Sequence, residues 1–447
     1  MIRHVAIPWL LAGCGDHYLL VSVEGADLEL TVAPAKVRVA VYADRERIDF
    51  DFTSRLEPRA EGGVPATDFV LVTDNIADLA QLRISIPTTT TTWFSDARVN
   101  GEGTIHLPLF AGERPVTTAS FVAGDLDTSA LFGPGIVMAW VDSGGVQTRV
   151  EKDPDRLISR QEMVAADPSA TKLRLASRQN PLGYGPDLYG VAWIGGDGMA
   201  RLRTSTLTSE SPVRALGVVA DDLAIGAASK GATFAIAVVV RTGDSLTLKL
   251  LDEAGLPLAA DKPIASGATT IVGVAVTRDG IAIGWRANDG SHLALIGGNG
   301  GVTAGPAIDG DLVGLSTTND GSRLLSLQRR GLSLFQVSYF PNLTPTDIDI
   351  KLGTTIVGGR TSLSGCIAAW PELRADGSNV TDLRFAILDE NGNALGEPHL
   401  INVEETGDHL APTVVCASQT RAYATFFEHA AATDPGARLR IRRIPTY

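Results

Sequence analysis

Residues 246–258 read LTLKLLDEAGLPL, and residues 383–395 read LRFAILDENGNAL. Both spell Leu, four residues, Leu-Asp-Glu, any residue, Gly, two residues, Leu, and they stand 137 residues apart. That offset is three periods of about 46 residues, so a weaker copy should fill each of the intervening intervals. The chain has 447 residues, more than one hydrophobic core ordinarily serves, and a repeat resolves that difficulty by stacking small units. Its apolar runs are four to eight residues of Val, Ile, Leu and Ala fenced by Gly, Asp, Asn and Pro, which is how strands are punctuated.

A second marker confirms the period. Short apolar strands, several closing on tryptophan, occur at GIVMAWVD (135–142), LYGVAWIG (188–195), TFAIAVVV (233–240), GIAIGWRA (280–287), SRLLSLQR (322–329), GCIAAWPE (365–372) and RAYATFFE (421–428). Taking Trp140, Trp193, Val239, Trp285, Leu327, Trp370 and Phe426 as equivalents gives seven copies spaced by 42 to 56 residues. A small apolar strand precedes each, at 119–125, 171–177, 215–221, 270–276, 311–317, 354–360 and 411–417, and a polar turn such as Asn288-Asp289-Gly290 leads on to another. Three or four antiparallel strands recurring at this interval predict a seven-bladed β-propeller over 113–447, because one blade cannot bury both of its faces alone. The large residue on the second strand is expected to fill the wedge between blades. The Trp-Asp dipeptide of WD40 repeats is absent at the strand ends. The seventh copy ends after its third strand, so closure needs a donor: the segment near GERPVTTA (112–119) is favoured over GTIHLPLF (103–110).

Ahead of the repeat, 18–112 alternates apolar and polar residues in YLLVSVEG, KVRVAVYA, IDFDF, DFVLV, QLRISI and GTIHLPLF. Period-two alternation at this spacing predicts a small β-sandwich. The threonine run PTTTTTW (87–93) fits a strand or a bend between strands. The pattern resembles immunoglobulin-like and related sandwich domains of exported bacterial proteins, without a signature cysteine pair. The fold class expected for the whole chain is therefore all-β: a small sandwich followed by the propeller.

Residues 1–14, MIRHVAIPWLLAGC, set Arg3 before an apolar run from Val5 to Leu11 and two small residues before Cys14. That order is the order of a targeting segment. Leu11, Ala12, Gly13 and Cys14 match the bacterial lipoprotein lipobox position by position. The resemblance implies cleavage before Cys14, lipid on its thiol, and anchoring by acyl chains, which hold a protein at a membrane without a spanning helix. It implies a cell-envelope location, as an outer-membrane lipoprotein facing the periplasm or the cell surface. On the other reading Val5–Leu11 is an ordinary buried strand and Cys14 a small core residue. Two cysteines then remain, Cys366 and Cys416; in an oxidising compartment they can pair, or they can be two separate buried thiols.

With 38 Lys+Arg against 51 Asp+Glu the net charge is −13, which argues against general nucleic-acid binding, and no run approaches the roughly 20 apolar residues of a spanning helix. The seven histidines stand singly, with no H-E-x-x-H and no G-x-S-x-G. Glu404, Glu405, Asp408 and His409 read as a solvated loop, Asp389–Asn393 as a hairpin turn, and Gly297–Gly301 as a turn with no helix or lysine after it. No catalytic, metal or cofactor residue is nominated. The expectation is a membrane-anchored scaffold or binding protein that uses propeller loops to hold a protein or glycan. The alternative is a hydrolase or lyase acting over the central channel.

Overall fold

The computed structural model describes, within residues 3–122, the strands and Val116, and from 125 to 445 everything except 132–134, 154–157, 179–187, 207–208, 229–231, 319–320, 357–359, 374–380, 396–397, 402–407, 419–420 and 430–435. No helix occurs among the described residues; the chain is all-β. Residues 3–111 form one nine-stranded sheet. Its two halves join only where Thr92–Arg98 meets Gly103–Ala111 over two residue pairs. His17–Gly25 runs parallel to Gly103–Ala111, and Arg3–Val5 adds a three-residue edge against Pro65–Thr73. The threonine run enters a strand at Thr92, and Cys14 lies outside the described residues.

From Arg114 onward the chain builds seven more sheets, the blades of a β-propeller. The innermost strands are Leu126–Ala130, Thr171–Arg178, Asp222–Ala227, Ala268–Val276, Asp311–Thr317, Ser362–Ser364 and Asp408–Ser418, in blades 1 to 7. Each touches the next, and the last touches the first, so the ring is closed. Both faces of every blade are apolar because each interface is a core: seven hydrophobic clusters each draw side chains from two adjacent blades. A flat strand pair could not bury that alternation alone, which is why the repeat stacks.

Closure uses the segment favoured from the sequence. Blade 7 ends on its third strand, Gly436–Pro445, and Arg114–Pro115 and Phe121–Val122 pair with its free edge. The Val116 amide donates to the Leu439 carbonyl at 2.7 Å. Val116 then joins Trp140 of blade 1 and Tyr423, Phe427, Leu439 and Ile441 of blade 7 in one buried cluster. Between the same blades the hydroxyls of Thr128, Thr413 and Thr425 lie 2.5–2.8 Å apart, each able to donate to one and accept from another.

Two sequence expectations need correction. The segments 119–125, 215–221 and 354–360 are not the strands that precede the marker strands in their blades: Phe121–Val122 edges blade 7, Arg214–Val219 is the outer strand of blade 2, and the strand before the marker begins at Leu126, Asp222 and Ser362 in blades 1, 3 and 6. Small apolar runs occur on outer strands too, so composition alone cannot rank strands from the axis. Second, Trp140, Trp193, Trp285, Trp370 and Phe426 all pack against the preceding blade, whereas Val239 and Leu327 pack against the following one. A shift of one residue in a strand reverses the face. The hairpin pairs Val240↔Thr247 and Gln328↔Phe335 match Trp140↔Gln147 and Trp285↔His292, so Val240 and Gln328 are the true equivalents. Gln328 is buried and donates to the Tyr339 hydroxyl at 2.7 Å and to Ser326 Oγ at 3.1 Å.

The Leu-Asp-Glu-x-Gly repeat is a turn that follows the third strand, Ser245–Leu251 in blade 3 and Thr381–Ile387 in blade 6. In both copies one aspartate oxygen accepts the backbone N–H groups two and four residues on, at 2.8–2.9 Å from Asp252 and 2.8 Å from Asp389. Burial works against ionisation of Asp389, but the Asn393 side-chain amide and the N–H groups of Asn393, Asn391 and Gly392 outweigh it and hold its carboxyl below the usual range. The glycine takes a positive φ, +74° at Gly255 and +87° at Gly392, which a side chain resists. Each turn also docks on the preceding blade: Thr204 Oγ1 donates to the Glu253 carbonyl at 2.8 Å, and Ser338 Oγ to that of Asn391 at 3.2 Å.

The two glycines should therefore differ in tolerance. Alanine at Gly255 meets nothing closer than 3.5 Å and is expected to lose about 1–2 kcal/mol from the left-handed backbone. At Gly392 a Cβ would stand 2.5 Å from Leu325 Cδ2 and 2.7 Å from Ser338 Oγ, adding about 1–3 kcal/mol of overpacking. Denaturant unfolding of Gly255→Ala and Gly392→Ala checks the order; equal losses would mean that the blade 5–6 contact is not as tight as described.

Candidate functional site

The innermost strands enclose a channel of about 590 Å³ along the ring axis, lined by all seven blades. Small and aliphatic residues such as Val272, Val274, Val276, Val313, Leu315 and Leu363 line it, but the surface it presents is mostly polar. The charged residues that line it are Asp127, Arg174, Arg286, Arg329 and Arg360. Among the described residues that is four guanidinium groups against one carboxylate, with Arg360 paired to Asp127 and Arg329 to the adjacent Asp311. Buried between low-dielectric walls, such charges act more strongly on a ligand than they would on an open surface.

These groups gather at the end where the innermost strands begin. Neighbouring innermost strands run the same way, as the paired bonds from Asp125 and Asp127 to the amides of Leu173 and Leu175 show, at 3.1 and 2.9 Å. Ser362 and Ser364 hold the amides of Val414 and Cys416 in the same two-residue register, at 3.0 and 3.3 Å. Arg360, just before the innermost strand of blade 6, reaches past blade 7 to Asp127 Oδ1 at 2.9 Å and to the Leu126 carbonyl. Asp127 is thus engaged on both oxygens, and so is Asp222, which accepts the amides of Leu223 at 3.0 Å and Ile271 at 2.9 Å. Carboxylates so committed orient neighbouring strands.

Arg241, Arg286 and Arg329 occupy one repeat position, the residue after Val240, Trp285 and Gln328, in three consecutive blades. Their cross-strand neighbours are Asp222, Thr270 and Asp311. Arg241 reaches Asp221 at 3.7 Å and Arg329 reaches Asp311 at 2.8 Å. For Arg286 the repeat offers a threonine instead. Among the described residues its side chain has no carboxylate partner, and its Nε is buried with no hydrogen bond. Among the described residues Arg174 donates to the carbonyl of Leu173, at 2.8 Å. Burial and the nearby Arg360 lower the tendency of Arg174 to hold its proton, while Asp127, Asp125 and Asp222 act the other way.

None of these residues was nominated from the sequence. The marker strands VVVRT, IGWRA and SLQRR do carry the signal, an arginine after the wedge position, but misplacing that position in blades 3 and 5 hid its recurrence. Of the residues that were singled out, Cys366 and Cys416 come together, Cα atoms 5.9 Å apart and sulfurs 1.94 Å apart, between blades 6 and 7. Glu404 and Glu405 lie outside the described residues, and Asp408 and His409 sit in the innermost strand of blade 7 rather than in a loop. Gly297–Gly301 is a tight turn, with the Gly300 amide donating to the Gly297 carbonyl at 2.8 Å. Trp140, Trp193, Trp285 and Trp370 are buried between blades and are not among the residues that line the channel. On an exposed hairpin His292 bonds Asp289 at 2.9 Å, which lowers the Asp289 carboxyl, and stacks on Trp285; the neighbouring Ser291 hydroxyl already holds the Leu312 amide at 2.8 Å.

No protein-family model matches this chain, and no curated protein matches it. Among solved structures it is similar to the β-propeller domain of Cps50 (Swd1) from Myceliophteria thermophila, at 11% identity and a TM-score of 0.45, covering 69% of this chain and 93% of that one. It is also similar to a protein of unknown function from Dyadobacter fermentans, at 13% identity and a TM-score of 0.43, covering 75% and 100%. A third similar structure is TolB from Acinetobacter baumannii, at 13% identity and a TM-score of 0.38, covering 71% and 81%.

Proposed function

We propose that this chain is an exported bacterial lipoprotein, anchored through lipid on Cys14, that works as a binding protein in the cell envelope. The observation that carries the binding role is the channel: a sizeable cavity with guanidinium groups gathered at one end, where Asp127, the one carboxylate among the described lining residues, is already held by Arg360 and the Leu175 amide. A site of that kind suits holding and orienting a charged ligand. The ligand is a protein or glycan group presented at the channel mouth and its surrounding hairpins.

Export is supported by the Leu11-Ala12-Gly13-Cys14 motif and by the adjacency of Cys366 and Cys416, which an oxidising compartment would keep paired. In this reading the strands of residues 17–111 form an immunoglobulin-like sandwich that stands between the anchor and the ring. Its pairing pattern fits, with two half-sheets and a parallel first and last strand.

The test is fractionation of a bacterial host expressing either wild type or Cys14→Ser. Wild type is expected in the membrane fraction, released by detergent but not by salt, and Cys14→Ser is not. If both are equally soluble, the anchor is wrong.

A further inference from the structure

The repeat supplies its own control for what the channel binds. At one and the same position, blades 3 and 5 neutralise their arginine with an aspartate next to it, Asp221 for Arg241 and Asp311 for Arg329. Blade 4 keeps the arginine and replaces the facing residue by Thr270. Nε is buried without a hydrogen bond in both Arg241 and Arg286, so what distinguishes blade 4 is the missing carboxylate, and an unneutralised guanidinium beside a cavity is not something a structural role requires. Among the described residues Arg174, in the same cavity, donates to a backbone carbonyl of its own strand. The carboxylates within electrostatic range of Arg174 are Asp125, Asp127 and Asp222, and each already accepts backbone N–H bonds that fix neighbouring strands. Among the described residues that line the channel, Arg286 is the guanidinium left without a carboxylate.

Further along the same strands some aliphatic side chains line a channel whose surface is otherwise mostly polar. On the innermost strand of blade 4, Thr270 is followed by Val272 and Val274; in blade 5, Asp311 is followed by Val313 and Leu315; in blade 6, Arg360 is followed by Leu363. A ligand that satisfied both zones would pair a charged head with a short apolar body, and about 590 Å³ is within the usual range of about 300–1,000 Å³ for small-molecule sites.

We propose that the channel binds a small organic anion, its carboxylate or phosphate head held by Arg174 and Arg286 and its aliphatic part lying against Val272, Val274, Val313 and Leu315. Guanidinium groups suit either head, because their N–H donors form a planar fork that meets two oxygens at once. The anion site goes beyond the protein or glycan binding proposed above, since it lies within the channel and takes a small molecule, and it does not depend on the lipid anchor, so failure of the Cys14 test leaves it standing.

Calorimetric titration of the purified full chain with hexanoate, hexyl phosphate, hexanol and hexylammonium tests it. Hexanoate and hexyl phosphate are expected to bind with 1:1 stoichiometry, the better of the two naming the preferred head, while hexanol and hexylammonium bind at least tenfold more weakly. Arg286→Gln and Arg174→Gln are each expected to weaken the anions about tenfold or more, with Arg241→Gln, whose partner is Asp221, leaving them within about twofold. Raising the salt concentration should weaken the anions and not hexanol. Absence of anion binding, equal binding of hexylammonium, or full retention of binding in a folded Arg174→Gln/Arg286→Gln protein would overturn the proposal. Should the double variant fail to fold, the comparison of the four probes on wild type decides alone.

Discussion

Deleting Gly436–Pro445 is expected to abolish the cooperative unfolding of all seven blades, not to fray one edge. That strand pairs along its length with Arg421–His429 and, on its other side, with Arg114–Pro115 and Phe121–Val122. It gives Ala437, Leu439 and Ile441 to the cluster shared with blade 1 and Ile444 to the cluster shared with blade 6. Without it the ring opens, blade 1 loses the apolar face against which Trp140 packs, and unpaired strand edges are exposed on both sides of the gap. In a stacked repeat, stability is close to a sum of unit and interface terms. Losing a strand and breaking a closed circle removes more than one interface, and total stability is only about 5–15 kcal/mol. Thermal unfolding followed by circular dichroism should show no sharp transition in the truncated chain. A truncated chain that keeps the wild-type midpoint, with only a reduced amplitude, would contradict a ring closed by this strand.

Trp140→Ala is expected to cost about 3–5 kcal/mol, the range for emptying a fully buried aromatic site. Its side chain has no solvent exposure, sits in the closing cluster with Val116, Tyr423 and Phe427, and donates from Nε1 to Asp142 at 3.2 Å. Trp285→Ala should cost less, because Trp285 is 8% exposed and part of its contact is with the exposed His292. Urea unfolding with an unchanged slope and a lower midpoint reads the loss as stability. A cost for Trp140→Ala below about 1 kcal/mol would mean that this tryptophan is not a wedge between the first and last blades.

The period, the strand class and the site of closure could all be read in the residues because each has a local cause. Leu-Asp-Glu-x-Gly makes the same turn twice, since one aspartate oxygen can cap two amides only when a left-handed residue follows at that spacing. The face of a strand was harder. Val239 and Leu327 look like wedge residues in sequence, yet one residue of slip sends them to the other side, and only cross-strand register settles it. The innermost strand of blade 3, DLAIGA, is preceded by an equally apolar outer strand, so distance from the axis left no mark on composition. The channel depended on both. Arg286 is conspicuous only once it is aligned with Arg241 and Arg329, and Arg360 meets Asp127 across more than two hundred residues of chain, a pairing no local pattern encodes.

The claim that places this architecture in a biological setting is the anchor, and intact mass of the mature protein tests it most directly. Protein extracted with detergent from the membranes of a bacterial host should begin at Cys14 and exceed the polypeptide mass by that of a diacylglyceryl group and an amide-linked acyl chain, and Cys14→Ser should lack the increment. A membrane-free wild-type protein that retains residues 1–13 and an unmodified Cys14 would contradict it.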